Sequence, residues 1–256
     1  MTYAPPVPPR VQTLQLSWRP ALRFFEERTQ LLRDLEVLGL LQAFQWEESR
    51  VSARLADHQY IVLGPTGATL QVMSHKADHQ AVSQALRATL LRIDPKDVTL
   101  NWVDLRLLLP VDMEGAEAQK LTANRLFPDL SPSAVGDDWA ALVDGHSAEL
   151  GASFQMQFGF VRPEEMPPRL TAITSFQVGD GPTLATHLQI DLEDLPACGA
   201  FFGWIWSFKE PLGSGDVSER VMQRWTAAAD ESQRTSSRIV NGLVPAVPAE
   251  KVERQG

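Results

Sequence analysis

Apolar residues recur along the chain with two spacings, and each change of spacing marks a change of predicted element. Between residues 11 and 18 (VQTLQLSW), Leu14 and Leu16 fall on one side of an alternating pattern, which predicts a strand. Between residues 20 and 44 they recur every three to four positions, which predicts an amphipathic helix that Gly39 could interrupt. The first two predicted elements are therefore a strand and a helix.

Two apolar runs, residues 51–63 and 68–74, flank the tetrapeptide Gly64-Pro65-Thr66-Gly67. A proline and two glycines between strand-like runs are typical of a tight turn in a β-hairpin. The sequence therefore predicts two antiparallel strands joined by this turn.

The clearest helical pattern of the first half lies between residues 78 and 93. Its apolar residues form one stripe, with Asp78 at the N-cap position and the dipeptide Asp94-Pro95 as a stop signal. Alternation resumes over residues 98–111 and changes phase near Trp102, which predicts a strand that contains a bulge. The predicted order of the first half is thus β-α-β-β-α-β.

Residues 113–150 are less regular, with a predicted helix over 114–127 and a predicted loop after it. Alternation and helical spacing return in the remainder of the chain. They predict three strands and a long closing helix, over residues 154–160, 170–178, 184–192 and 216–243. This order resembles that of the first half, although the two halves share negligible sequence identity.

We predict an α+β fold made of two similar halves of antiparallel strands covered by helices, with a ferredoxin-like order in the first half. The predicted parts are a proline-rich arm (1–10), the first half (11–112), a crossover segment (113–150), the second half (151–244) and a tail (245–256). The halves could share one continuous sheet, and the sequence leaves open whether they form one domain or two.

The composition narrows the class of protein. The chain has 256 residues, 44% of them hydrophobic and 21% charged, which is typical of a folded soluble protein. Its net charge of −9 argues against direct nucleic-acid binding. It shows no apolar stretch long enough for a membrane span and no secretory signal, and it has a single cysteine, Cys198. We expect a cytoplasmic protein without a membrane partner.

Residues that could take part in catalysis or bind a metal ion are few and scattered along the chain. His75, Asp78 and His79 could face one metal ion, but they lack an evident fourth ligand. Cys198 has apolar neighbours, which disfavour the reactive thiolate. Serine-nucleophile and phosphate-binding motifs are absent from the sequence. We therefore assign no catalytic, cofactor-binding or metal-binding residue.

The segment from Cys198 to Phe208 (CGAFFGWIWSF) is unusually rich in aromatic residues. One interpretation is that its rings fill the space between the sheet and the closing helix. The other is that outward rings form an exposed patch that binds a partner, because large aromatic residues are favoured at interface centres. The candidate partner-binding residues are Phe201, Phe202, Trp204, Trp206, Phe208 and Trp225.

Three stretches in this order resemble a sporadically distributed family of bacterial proteins of about 250 residues. They are VTLNWVDLRLLLPVD (98–112), LATHLQIDLEDL (184–195) and a closing helix that ends in SSRIVNGLV (236–244). The resemblance implies a two-lobed α+β fold and no catalytic residue, because the family has no assigned activity. It also implies an accessory or defence-associated role.

The sequence favours a non-enzymatic protein-interaction or assembly subunit of a bacterial multi-protein system. The expected partner is another protein or a second copy of this chain. Two alternatives remain. One is a small-ligand or peptide-binding module with a groove lined by Trp102, Trp204 or Trp206. The other is an enzyme whose site is assembled from residues distant in sequence.

Overall fold

The computed structural model describes residues 11–55, 59–73, 79–111, 114–126, 129, 140–170, 198–208, 211–212 and 216–243. These residues form nine strands: β1 (Val11–Ser17), β2 (Leu41–Trp46), β3 (Val51–Leu55), β4 (Gln59–Gly64), β5 (Gly67–Met73), β6 (Thr99–Pro110), β7 (Ala141–Ser147), β8 (Ala152–Val161) and β9 (Gly199–Ser207). They also form five helices: α1 (Arg23–Val37), α2 (Gln80–Ile93), α3 (Gly115–Leu126), the single turn α4 (Met166–Arg169) and α5 (Val217–Leu243). The protein is therefore α+β.

The nine strands form one antiparallel sheet in the order β2-β3-β4-β5-β1-β6-β9-β8-β7. Strands β1 to β6 of the first half occupy one side of this sheet. The other side holds β9 and β8 of the second half and, at its edge, β7 of the crossover segment. Within the described sheet, the two halves meet between β6 and β9, which pair from Trp102–Ser207 to Pro110–Gly199. The two halves therefore share one continuous sheet.

The two faces of the sheet differ in what packs on them. Side chains from α1, α2, α3 and α5 join inward-facing strand residues in one large apolar core, on what we call the helix face. A smaller cluster lies on the opposite side, the reverse face, where Met166 of α4 contacts residues that include Leu108 and Phe201. Most of the apolar burial is thus concentrated on the helix face.

The helix predicted over residues 20–44 ends at Val37, and the interruption predicted at Gly39 is confirmed. Gly39 adopts a φ of +69°, and the Leu40 amide donates to the Leu35 carbonyl, a geometry that closes the end of α1. Residues 41–46 then form β2, an edge strand, instead of further helix. The apolar residues of this segment fit the spacing of a helix, and they also fit the alternation of a short strand.

The predicted strand over residues 51–63 is two strands, β3 and β4, which pair with each other from Leu55–Gln59 to Val51–Leu63. The first half therefore contains two more strands than the predicted β-α-β-β-α-β order. The predicted hairpin turn at residues 64–67 is confirmed, because Gly64 pairs with Gly67 across it. A Cβ atom on Gly67 would lie 2.4 Å from the carbonyl oxygen of Leu16, so the neighbouring strand requires glycine there.

The structure confirms the helix that ends at Ile93 and the bulged strand that follows it. The described helix α2 begins at Gln80, and Asp94 ends it with a φ of +46°. In β6, Trp102 pairs with Gln15 and Leu100 pairs with Leu16, so Asn101 is the extra residue of the bulge. The predicted N-cap residue Asp78 lies outside the described residues.

The predictions for the remainder of the chain are confirmed where the structure describes it. The helix over 114–127 and the closing helix correspond to α3 and α5, and the strand over 154–160 lies within β8. The irregular segment also contains β7, a strand that the sequence analysis did not predict. The strands predicted over 170–178 and 184–192 lie outside the described residues, apart from Leu170.

Candidate binding site

Strand β9 carries most of the aromatic segment, and its side chains alternate between the two faces of the sheet. Phe202, Trp204 and Trp206 belong to the large core on the helix face, whereas Phe201 belongs to the small cluster on the reverse face. Each of the six candidate aromatic residues is at most 5% exposed: Phe201, Phe202, Trp204, Trp206, Phe208 and Trp225.

The two tryptophans of β9 are joined to the closing helix by a pair of hydrogen bonds. Their rings stack with an interplanar angle of 6° and a centroid distance of 5.7 Å. Trp204 Nε1 donates to Ser236 Oγ at 3.0 Å, and Trp206 Nε1 donates to Ser232 Oγ at 2.8 Å. Trp204 and Trp206, two residues apart on the strand, thus pair with Ser236 and Ser232, four residues apart on the helix.

This burial supports the packing interpretation of the aromatic segment. Gly203, Ile205 and Ser207 take the outward positions that follow Phe201, so four of the five rings between Phe201 and Phe208 belong to the helix-face core. The six aromatic residues therefore form no exposed patch by themselves. Their role in binding a partner is not tested and stays a prediction.

The other residues considered for chemistry are not brought together in the described part of the chain. His79 packs beside Trp225, with ring centroids 4.6 Å apart, while His75 and Asp78 lie outside the described residues. Among the residues that the structure describes, no group of three His, Cys, Asp or Glu side chains could hold a metal ion. Burial raises the pKa of the Cys198 thiol to about 11, which keeps the thiol protonated at neutral pH.

A polar cavity of about 280 Å³ lies instead on the reverse face, where the two halves of the sheet meet. Gly203 of β9 forms its floor, because it pairs with Arg106 of β6 on one side and with Gln157 of β8 on the other. The described residues that line the cavity come from five elements: Asp104, Arg106, Leu142, Gln155, Gln157, Arg169, Phe201, Gly203 and Ile205. This cavity is our candidate binding site.

The charged groups of the cavity are partly paired with each other. Arg106 Nε lies 3.3 Å from Asp104 Oδ2, and Arg106 Nη1 donates to the Arg169 carbonyl oxygen at 3.2 Å. The Asp104 side chain is only 3% exposed, and this burial raises its pKa above the usual range against the opposing effect of Arg106. The arginine side chain thus ties β6 to α4 across the cavity wall.

The third charged group, the Arg169 guanidinium, lies over the Phe201 ring with its Cζ atom 6.0 Å from the ring centroid. Gln155 and Gln157 add two primary amides to the opposite wall, and Gln155 Nε2 donates to Asp144 Oδ1 at 3.1 Å. A guanidinium group does not release its proton at neutral pH, so the described lining is better suited to binding a polar group than to proton transfer.

Sequence reasoning missed every polar residue of this cavity. The signal was the pair Asp104 and Arg106, two charged residues at alternate positions in the otherwise apolar strand β6. Gln155 and Gln157 repeat the pattern between the aromatic positions of β8. Residues at alternate strand positions share one face, so these two polar pairs predict a polar region on the side opposite the core.

A comparison with protein-family models finds no match to this chain, and a comparison with curated proteins finds none either. None of the described helices is both long enough and apolar enough to span a lipid bilayer. The site must therefore be interpreted from its own geometry.

Proposed function

We propose that this chain is a non-enzymatic protein-interaction subunit that binds a partner protein across the part of the reverse face formed by β7, β8 and β9. The observation that carries this proposal is the exposure of two large apolar side chains at the rim of the polar cavity. Leu142 of β7 is 62% exposed, and Ile205 of β9 is 37% exposed. Exposed apolar side chains that lie close together mark protein-binding surfaces.

The distribution of burial across the sheet supports the same surface. Thr13, Gln71 and Asp104 lie in one row across β1, β5 and β6, and all three are buried although they are polar. Along the same row, Ile205 and Gln155 in β9 and β8 are exposed. In this row, the exposed positions are therefore those of β8 and β9.

The groove expected for a ligand-binding module is not this cavity, because Trp204 and Trp206 are buried in the helix-face core and Trp102 is not among the described lining residues. We therefore compare the two alternatives at the reverse-face cavity. A small-ligand or peptide-binding module would use its amide and guanidinium groups, without the rim. An enzyme assembled from distant residues would need an acid–base group with accessible protons, and among the described lining residues Asp104 is the candidate. The exposed rim favours the interaction role over both.

The experiment is co-purification from the cells that naturally produce the protein. Tagged wild-type chain and the variant Leu142→Gln are compared at equal expression, and the bound proteins are quantified by mass spectrometry. Leu91→Gln is the matched control, because Leu91 is 72% exposed on α2, on the other side of the sheet. We expect one stoichiometric partner with wild type and control, and its loss with Leu142→Gln.

Ile205→Thr serves as a second rim variant, because threonine keeps the branched shape that suits a strand. Retention of the partner by both rim variants would disprove the proposed surface. A wild-type chain that purifies alone and is monomeric in light scattering would disprove the interaction role. A second copy of this chain as the stoichiometric partner would make the subunit a homo-oligomer.

The same proposal includes three broader properties of the protein. They are membership in the sporadically distributed bacterial family, an accessory or defence-associated role in a multi-protein system, and a cytoplasmic location. A net charge of −9 supports a function without direct nucleic-acid contact. The two sides of the described sheet contain six and three strands, so the similarity of the two halves stays a prediction.

A further inference from the structure

We propose that the reverse-face cavity receives the carboxylate of an aspartate or glutamate side chain from the partner protein. This inference rests on the proposed interaction role and adds the chemistry that the surface recognises. Arg169 is the residue that binds the carboxylate, Gln157 assists it, and Gly203 leaves the space that the group occupies. The reasons lie in the charge, geometry and volume of the cavity.

The charge balance of the described lining leaves one positive charge. Arg106 and Asp104 neutralise each other through their contact of 3.3 Å. Arg169 has no carboxylate partner among the described residues, and the only ring contact that it makes there is with Phe201. A partly buried and unbalanced guanidinium favours an anion in its vicinity.

The geometry of Arg169 leaves its donors available. The Arg169 Cζ atom lies 6.0 Å from the Phe201 ring centroid, and among the described residues the guanidinium makes no ion pair or side-chain hydrogen bond, so its N–H groups are available to a ligand. These groups form a fork that matches the two oxygens of a carboxylate. The contact with Phe201 and the strand pairing beneath it therefore hold a carboxylate receptor at the wall of the cavity.

The same charge balance favours a carboxylate over a phosphate group. A carboxylate carries one negative charge, which equals the single unbalanced positive charge of the lining. A phosphate monoester carries between about −1.5 and −2 at neutral pH, so its excess charge would face Asp104. The amide of Gln157 adds a neutral donor that suits either oxygen of a carboxylate.

The volume of the cavity limits the ligand to a small group. At about 280 Å³ it is slightly smaller than the usual range of about 300–1,000 Å³ for sites that enclose a drug-sized molecule. A Cβ atom on Gly203 would make only ordinary contacts, 3.5 Å from the Phe201 ring and 3.9 Å from Gln157 Cβ. Larger side chains at position 203 would extend into the space above the floor.

The test uses two blocked pentapeptides, acetyl-Ala-Ala-Glu-Ala-Ala-amide and its Gln analogue, titrated into the full ¹⁵N-labelled chain. Binding is followed by the amide signals of Gly203 and Gln157 at peptide concentrations up to about 10 mM, which detects weak binding. We expect saturable shifts at these two residues with the Glu peptide and none with the Gln peptide. Equal shifts with both peptides, or no shift with either, would overturn the inference.

Variants assign the effect to the cavity. Arg169→Gln should weaken Glu-peptide binding at least about tenfold. Arg224→Gln should leave it unchanged, because Arg224 also lies over a phenylalanine, Phe208, but outside the cavity. Arg169→Lys keeps the charge and loses the fork, so intermediate binding is expected. Full binding by Arg169→Gln would disprove the assignment.

Gly203 provides a test that leaves every charge in place. Gly203→Ala should bind the Glu peptide as wild type does, whereas Gly203→Leu should fill the cavity and abolish binding. Unchanged thermal midpoints identify the variants that remain folded. If Gly203→Leu is unfolded, the arginine variants decide the question alone.

The two proposals can fail separately. Loss of the co-purified partner with Leu142→Gln, together with no binding of the Glu peptide, would keep the interaction role and overturn the carboxylate. The other outcome is that the Glu peptide binds in an Arg169-dependent way but the chain has no partner in its native cells. The cavity would then still be a site for an acidic group. That result would overturn the interaction role, and with it the partner as the source of the carboxylate.

Discussion

The indole nitrogen of Trp206 donates a hydrogen bond of 2.8 Å to the hydroxyl oxygen of Ser232, and both residues are fully enclosed. A strand in the middle of the sheet and a 27-residue helix are thereby fixed in one relative position along their lengths. Trp204 and Ser236 repeat the contact one helical turn further along. The aromatic segment thus determines how the closing helix packs on the sheet.

The first prediction concerns this contact. Ser232→Ala leaves the buried Trp206 N–H without its acceptor, and we expect the free energy of unfolding to fall by about 1–3 kcal/mol. Ser237→Ala on the same helix is the control and should change it by less than about 0.5 kcal/mol. Urea melts followed by circular dichroism provide the measurement. Equal effects of the two variants would show that the hydrogen bond contributes nothing.

Trp206→Ser extends this test to the whole ring. Removal of a fully buried indole leaves a large cavity, and we expect a loss of at least about 3–5 kcal/mol in unfolding free energy. The partner-binding hypothesis predicts instead a smaller particle in light scattering with folding retained. A folded and dissociated Trp206→Ser variant would therefore restore the aromatic segment as a binding surface.

The second prediction compares two leucines on α2. Leu86 is fully buried in the large core, so Leu86→Ala should lower the free energy of unfolding by about 2–5 kcal/mol. Leu91 on the same helix is mostly exposed, and Leu91→Ala should change it by less than about 0.5 kcal/mol. Denaturant melts of both variants measure the difference, and similar losses would contradict the described orientation of α2.

The third prediction is a pH dependence at Asp104. Its pKa in the folded state is raised above the ordinary value of 3.8, mainly because the side chain is buried. The folded chain therefore holds this proton at pH values where the unfolded chain has lost it. The resulting stabilisation is present at low pH and is lost as the pH rises through the folded-state pKa.

The variant Asp104→Asn lacks this titration. Its free energy of unfolding relative to wild type should increase as the pH rises from about 4 through the folded-state pKa, by about 1.4 kcal/mol for each unit by which the pKa is raised. Asp144→Asn removes a carboxyl from the exposed part of the same face and controls for the change in net charge. A pH-independent difference for Asp104→Asn would refute the raised pKa.

The fourth prediction contrasts two glycines. Gly67→Ala places a Cβ atom 2.4 Å from the Leu16 carbonyl oxygen, so the pairing of β1 and β5 must distort and the protein should lose stability. Gly242 lies in the last turn of α5, and nothing within 4 Å would contact an added Cβ. Gly242→Ala should raise the free energy of unfolding by about 0.5–1 kcal/mol, measured by thermal melts.

Local patterns predicted much of the fold because long periodic segments have few alternative structures. The stripe of α2 and the bulge of β6 follow directly from residue spacing. The sequence indicated the break at Gly39 that ends α1, but the spacing of apolar residues beyond it did not reveal the short edge strand β2. Strand β7 was missed because an exposed edge strand needs little apolar alternation.

The candidate site was harder to predict, since it depends on which strands are neighbours. Asp104, Gln157 and Arg169 lie up to 65 positions apart in the numbering and meet only because β6, β9 and β8 are adjacent. The sequence indicated the aromatic segment as a candidate binding surface because its composition is unusual. Its rings are core residues, and the binding surface that we propose lies at the small residue between them, Gly203.

The pairing of β6 with β9 in the described sheet also has a consequence for how the chain folds during synthesis. Residues 11–111 leave the ribosome well before Gly199–Ser207, so the first half can assemble six strands while β6 is still an unpaired edge. Twelve residues long and mostly apolar, that edge is a template for pairing with other nascent chains. The time before β9 emerges is therefore the period in which this protein most needs a chaperone.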